Sequence, residues 1–237
     1  MTGKTHVAIG FAVAVASGRL MQPTSLENYP NLLLQEGPSS TAVIQLVAMA
    51  IAVWVGSMAP DLDQPGSTLS RDIGGPLGRT KATAFLGGLS LLYLATRLPA
   101  TLSLMPYLQW GFLTVGWILI MMAILKHRGL THSLLGMGLV CIAVYWGLLV
   151  LLADGVSFAS SLLLPFLIGY GAHLVADSFT KSGIAPFYLP FVPITQKHWH
   201  FPLYIRSGSF VDRVVLRFGA IFILIIGIVY LGWEKLS

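Results

Sequence analysis

The sequence is short of most of what a soluble enzyme displays. Only 10% of its 237 residues are charged, where soluble domains carry about 25%. Acids are scarcer than bases, nine Asp and Glu against fourteen Lys and Arg, for a formal charge of +5. One cysteine, Cys141, lies in an apolar run. That excludes an internal disulfide and a cysteine-rich zinc ribbon, and a lone thiol there reads as packing. No internal repeat or low-complexity tract stands out. There is no His-Glu-x-x-His, which excludes a zincin-type intramembrane protease. There is also no Pro-Ser-Gly-His, and Phe166-Leu167-Ile168 stands where a Ser-Arg pair would precede His173. A lipid phosphatase with a histidine nucleophile is thereby rejected.

Hydrophobic residues make up 55% of the chain, and its mean hydropathy is +0.78. A helix needs about 20 apolar residues to cross the hydrocarbon core. Seven segments qualify or nearly do: 5–18, 41–59, 82–98, 107–125, 133–153, 159–176 and 214–233. They predict an all-α, polytopic integral membrane bundle of about seven spans, folded as a single domain over residues 1–237. The first segment is the shortest. Val7–Ala16 resembles a signal peptide, but it lacks a small-x-small cleavage site and follows directly on His6, so it reads as a retained helix. Gly87, Gly88, Gly111, Gly116, Gly136 and Gly138 fall inside helices, where small residues let neighbours approach closely. The Pro- and Gly-bearing stretches 19–40 and 60–81 read as loops, and 178–213 is the longest polar connection.

Threading the segments alternately across a membrane divides the basic residues unequally. One side receives Lys4, Arg71, Arg79, Lys81, Lys126, Arg128, Lys181, Lys197, Arg206, Arg213 and Arg217; the other receives Arg19, Arg97 and Lys235. Eleven against three predicts a cytoplasmic N-terminus by the positive-inside rule. The net charge is then a topology signal and an attraction to anionic headgroups. No surface of interleaved aromatic and basic residues points to nucleic acid. The same threading puts all six histidines, and Asp61, Asp63 and Asp177, on the cytoplasmic side.

Three motifs carry chemistry. Ala59-Pro60-Asp61-Leu62-Asp63-Gln64-Pro65 closes the second segment, and two carboxylates on a tight turn can meet one cation. Lys126-His127-Arg128-Gly129-Leu130-Thr131-His132-Ser133 sets two histidines around a glycine turn. Imidazole is the commonest metal ligand, and Arg128 between them suits an anionic oxygen. His173-Leu174-Val175-Ala176-Asp177 places two ionisable groups on one helix face, which is costly in a membrane unless the face is polar and enclosed. His6 lies at the same depth. Each motif also has a plainer reading: a polar helix end, a basic anchoring loop, and a His–Asp hydrogen bond joining helices. Together they offer enough N and O donors for one or two metal ions and their supporting partners. Beyond them, Trp199 and Phe201 suit the interfacial belt. Lys197, His198 and Arg206 suit a phosphate, or simply an amphipathic surface loop.

In this order, Pro60-Asp61-Leu62-Asp63, His127-Arg128-Gly129-Leu130-Thr131-His132-Ser133 and Gly169-Tyr170-Gly171-Ala172-His173-Leu174-Val175-Ala176-Asp177, with Thr5-His6 before them and Gly183 after, resemble the YdjM-like family. These are bacterial inner-membrane metal-dependent hydrolases, some described as LexA-regulated. The resemblance covers most of the chain, and its middle motif is the most specific. It implies a membrane-bound metal site built from His6, Asp61, Asp63, His127, His132, His173 and Asp177. Members often carry a Gly-Ser turn followed by an acid, a place Asp212 would fill. A fainter likeness to zinc-dependent phospholipase C suggests phosphoester cleavage.

The resulting expectation is a multi-pass protein of the bacterial inner membrane, with its site at the cytoplasmic face. It would hydrolyse a lipid or other membrane-borne phosphoester with a metal-activated water. The metal would be zinc, one or two ions, with Mn or Mg as alternatives. Asp63 or Asp177 would orient or deprotonate the water, and Arg128 would stabilise the oxyanion. The partner is a membrane lipid or lipid-linked substrate, with no nucleic acid; the oligomeric state stays open. Two other readings stand beside it. One is a metal or proton transporter, although the second to fifth apolar segments lack mid-depth charge. The other is a structural protein whose His–Asp network locks the bundle.

Overall fold

An α-helix satisfies its backbone hydrogen bonds within one segment, so apolar runs of this length resolve into helices. The computed structural model describes residues 1–17, 40–63, 81–98, 105–124, 128–151, 156–202 and 204–234. Seven α-helices lie among them: α1 (Gly3–Ala16), α2 (Ser40–Met58), α3 (Lys81–Arg97), α4 (Met105–Ile124), α5 (Leu134–Leu151), α6 (Val156–Ser178) and α7 (Arg217–Glu234). The largest departure from the expected limits is three residues, at the starts of α6 and α7. Short 3-10 turns at Ala59–Asp63 and Leu130–His132 extend α2 and precede α5, and a π-helical turn, Val211–Leu216, leads into α7. Among the described residues there is no strand, only two isolated bridges, Thr180 with Ile205 and Ile184 with Trp199. The loops expected at 19–40 and 60–81 lie almost entirely outside the described residues.

By length and composition, one helix among the described residues, Ser161–Ser178, is apolar and long enough to cross a membrane; five others are apolar but shorter. The expected all-helical bundle is therefore present.

α2 and α6 make the central pair, and α1 lies against both and against α7. α5 packs on α6, and the α3–α4 hairpin joins the bundle through α4 and α5. Small residues set these distances. A Cβ on Gly169 would lie 2.8 Å from the Ser57 amide nitrogen, and one on Gly56 would reach 3.0 Å from the Phe166 carbonyl carbon. Neither contact is sterically allowed at full size, so the α2–α6 crossing is backbone against backbone. Gly88 and Gly116 do the same for α3 and α4, where a Cβ on either would come within 2.9 Å of the other's carbonyl oxygen. Gly136 meets the Leu130 backbone, whereas Gly138 faces open space. Around the central crossing, Phe166, Tyr170, Leu174, Ala59 and Cys141 form one buried cluster, which confirms Cys141 as packing.

The α2–α6 crossing has a direct consequence. Gly169→Val forces two helices apart and is expected to cost about 1–3 kcal/mol or more. Gly138→Ala meets nothing and is expected to leave stability unchanged or slightly raised. Thermal unfolding of the two variants in the same detergent checks the contrast.

Candidate metal centre

Five backbone ends converge at one end of the bundle. These are the start of α1, the 3-10 turn after α2, the turn before α5, the end of α6 and the π-helical turn before α7. Each delivers one or two polar side chains. His173 and Asp177, one turn apart on α6, are both fully buried. His132 is fully buried too, on its 3-10 turn, and His6 is 1% exposed on the first turns of α1. Asp61, on the turn that ends α2, has a side chain 20% exposed and forms the water side of the cluster.

The donor atoms face one another. His132 Nε2 lies 3.4 Å from Asp177 Oδ2 and 3.5 Å from Asp61 Oδ1. His173 Nε2 lies 3.7 Å from Asp177 Oδ2 and 3.8 Å from Asp61 Oδ1. A tetrahedral ion with bonds of about 2.0–2.1 Å sets its donors about 3.3–3.4 Å apart. These four His–Asp separations are thus close to the edge lengths of a cation's shell. Two triads, Asp61–His132–His173 and His6–His173–Asp177, each have their donors within 4.8 Å of one another.

The orientation of His173 also fits a ligand. Its Nδ1 lies 2.8 Å from the Ser57 carbonyl oxygen, which can only accept, so Nδ1 carries the proton and Nε2 keeps its lone pair. That Nε2 is buried and makes no hydrogen bond. A buried lone pair without a donor costs free energy unless something electropositive meets it. His132 is oriented by Thr131, whose Oγ1 lies 3.1 Å from its Nδ1, and the Tyr170 hydroxyl donates to the Thr131 carbonyl at 2.6 Å.

Asp177 is the most heavily contacted group. Oδ1 takes His6 Nε2 at 3.3 Å and the Met1 amine at 3.3 Å; Oδ2 takes Arg128 Nη2 at 3.2 Å. His6 stacks on His173 with centroids 3.8 Å apart and planes within 15°. Arg128 also donates from Nη1 to Thr180 Oγ1 and the Gly183 carbonyl, both at 3.3 Å. It does so from a left-handed backbone, φ 64°, a conformation an L-residue holds only against resistance.

Charge follows geometry at the two turn residues. Burial opposes ionisation of Asp61, but the His132 hydrogen bond and the neighbouring His173 and His6 outweigh it and bring its pKa to about 2. Burial likewise opposes protonation of His132, yet its hydrogen bonds to Asp177 and Asp61 prevail and raise its pKa.

Of the residues expected at the site, His6, Asp61, His132, His173, Asp177 and Arg128 come together. His127 and the Asp63 side chain lie outside the described residues. Lys197, His198 and Arg206 are exposed on the connection after α6; His198 Nδ1 meets the Ser182 carbonyl oxygen at 3.0 Å, with no contact to the cluster. Asp212 is buried at the same end but holds the chain start instead. Its Oδ2 accepts from the Thr2 amide at 3.0 Å and the Gly208 amide at 2.7 Å. Sequence reasoning missed Ser57, Thr131, Tyr170 and the Met1 amine. Tyr170 and Thr131 carried a signal, as parts of the Gly169-to-Asp177 and His127-to-Ser133 motifs.

A helical bundle with a buried His–Asp cluster at one end defines a class, an all-α protein with a candidate metal centre. The chain belongs to the YdjM inner membrane protein family, whose model matches residues 1–236. No curated protein and no solved structure matches it.

Binding should depend on pH with a definite sign. A raised His132 pKa means that a proton competes for Nε2 above the ordinary value of 6.5, and an incoming cation must displace it. Zinc affinity, measured by chelator competition, is expected to go on rising with pH above 6.5 and to lose most of that slope in His132→Ala. His132→Ala and His173→Ala should each weaken binding by about 100-fold or more, and His198→Ala should not.

Proposed function

We propose that this protein is a metal-dependent membrane hydrolase acting on a lipid or other membrane-borne phosphoester. The observation that carries the reading is the approach of His132 Nε2 and His173 Nε2 to both Asp61 Oδ1 and Asp177 Oδ2, at 3.4–3.8 Å. In this reading α1–α7 cross the inner membrane and the site lies at the cytoplasmic face. The distribution of Lys and Arg, eleven against three, supports that orientation.

A single divalent ion, zinc by its mixed N and O donors with Mn or Mg as alternatives, supplies an activated water and polarises a phosphoryl oxygen. The chain's residues do the rest. His132, His173 and Asp177 hold from the buried side. Asp61, facing water, completes the donor set or yields its place. By its place in the sequence alone, two residues after Asp61, Asp63 would be the group to take a proton from the attacking water. Arg128 stands 3.2 Å from Asp177 Oδ2 with 19% of its side chain exposed, where it can meet charge developing on the phosphoryl oxygens. Ser57 and Thr131 fix the two imidazoles. Lys197, His198 and Arg206 hold headgroup phosphate further out.

One observation favours a second reading. Four protein donors close a tetrahedral shell, which is the habit of structural zinc. The ion would then lock α2, α5 and α6 together and perform no chemistry.

Reconstituted protein supplied with a panel of lipid phosphoesters separates the two. The hydrolase is expected to release phosphate or a phosphorylated headgroup, to stop with chelator and to recover with zinc or manganese. Arg128→Ala should lower turnover by about 10²–10³-fold. Chelation that melts the fold, with no turnover of any lipid, would establish the structural lock instead.

A further inference from the structure

The connection between α6 and α7 folds into an ordered lobe fastened to the site. Its inner side is anchored: Ala185 and Tyr188 are buried against Leu130, the Leu134 amide donates to the Pro186 carbonyl at 2.9 Å, and Ile184 bridges Trp199. Its outer side is strongly apolar. Ile194 is 86% exposed, Phe191 77% and Phe187 73%. Phe191 is held outward from a left-handed backbone, φ 66°, an unusual conformation for a bulky side chain. Three large apolar side chains this bare, on a lobe this well fastened, need a cover.

Charge says what the cover is. Residues 178–211 contain no Asp or Glu. Lys181, Lys197 and Arg206 are all exposed on this stretch, so the lobe pairs an apolar tip with unopposed positive charge. Trp199, half exposed, lines an open groove of about 690 Å³ together with Phe187, Ile194, Lys197 and His198. An apolar tip with Lys and Arg on the same connection is the composition that seats at the boundary between headgroups and acyl chains, and aromatic rings favour that depth.

We propose that the lobe Gly183–Trp199 docks into the surface of an anionic phospholipid bilayer. Phe187, Phe191 and Ile194 enter the acyl boundary, and Lys181, Lys197 and Arg206 meet the phosphates. The lobe is tied to the metal centre by Arg128, which bonds Gly183 on one side and Asp177 on the other. Docking therefore keeps the mouth of the site at headgroup level. The proposal rests on this surface and not on the identity of any ion or reaction.

The test uses the full chain in nanodiscs, with Cys141→Ala and a fluorophore on Ile194→Cys, beside the same fluorophore free in buffer. The Ile194 label is expected to be blue-shifted and quenched by lipids carrying a quencher near the headgroup. That quenching should be stronger in phosphatidylglycerol-containing discs than in pure phosphatidylcholine, and Lys197→Glu with Arg206→Glu should remove the difference. A label as open to an aqueous quencher as the free fluorophore would overturn the proposal. So would protection that appears only in discs holding two copies, or that ignores anionic lipid. If Cys141→Ala fails to fold, the native chain with buried Cys141 serves as background, its own labelling subtracted.

Discussion

The carboxylate of Asp177 is the constraint on which the rest of the structure depends. It has no exposure to water, and burying an unpaired carboxylate costs several kcal/mol. The fold answers that cost by bringing donors to it from every side. Met1 arrives from just before α1 and His6 from its first turns, Arg128 and His132 from the turn before α5, and His173 from one turn earlier on α6. Groups that are distant in sequence are thus committed to one point. The same commitment sets the His132 and His173 ring nitrogens between the carboxylates of Asp61 and Asp177.

Such a cluster needs rigid support, because a metal-ligand shell tolerates errors of only tenths of an ångström. The glycine contacts supply it. Gly56 and Gly169 let α2 and α6 touch backbone to backbone one to two turns before the site. The touch brings the Ser57 carbonyl within reach of His173 Nδ1. Packing in the apolar layer and the tautomer of a buried imidazole are therefore one problem. The Leu130–His132 turn is fixed in the same way, by Gly136 beneath it and by Tyr170 on its Thr131 carbonyl.

Much of this was legible in the sequence. Hydropathy located all seven helices, because an apolar run has few alternatives to a helix. His6, Asp61, His132, His173 and Asp177 stood out because ionisable groups are expensive beside apolar runs and persist only where something holds them. What stayed hidden depends on backbone. Nothing in the residue type of Ser57 foretells that its carbonyl orients a histidine, and a glycine motif does not say which glycines touch: Gly88, Gly116 and Gly136 do, Gly138 does not. The left-handed turn at Arg128 and the amine at Asp177 are likewise products of tertiary folding. Lys197, His198 and Arg206 share the cluster's end of the chain but not its contacts, since charge alone carries no register.

X-ray absorption at the zinc edge of metal-loaded protein tests the central claim most directly. The account predicts a four-coordinate ion with two imidazole nitrogens and two oxygens at about 2.0–2.1 Å, losing one imidazole in His173→Ala. An all-oxygen, hydrated shell, or a spectrum indifferent to His173→Ala, would contradict it.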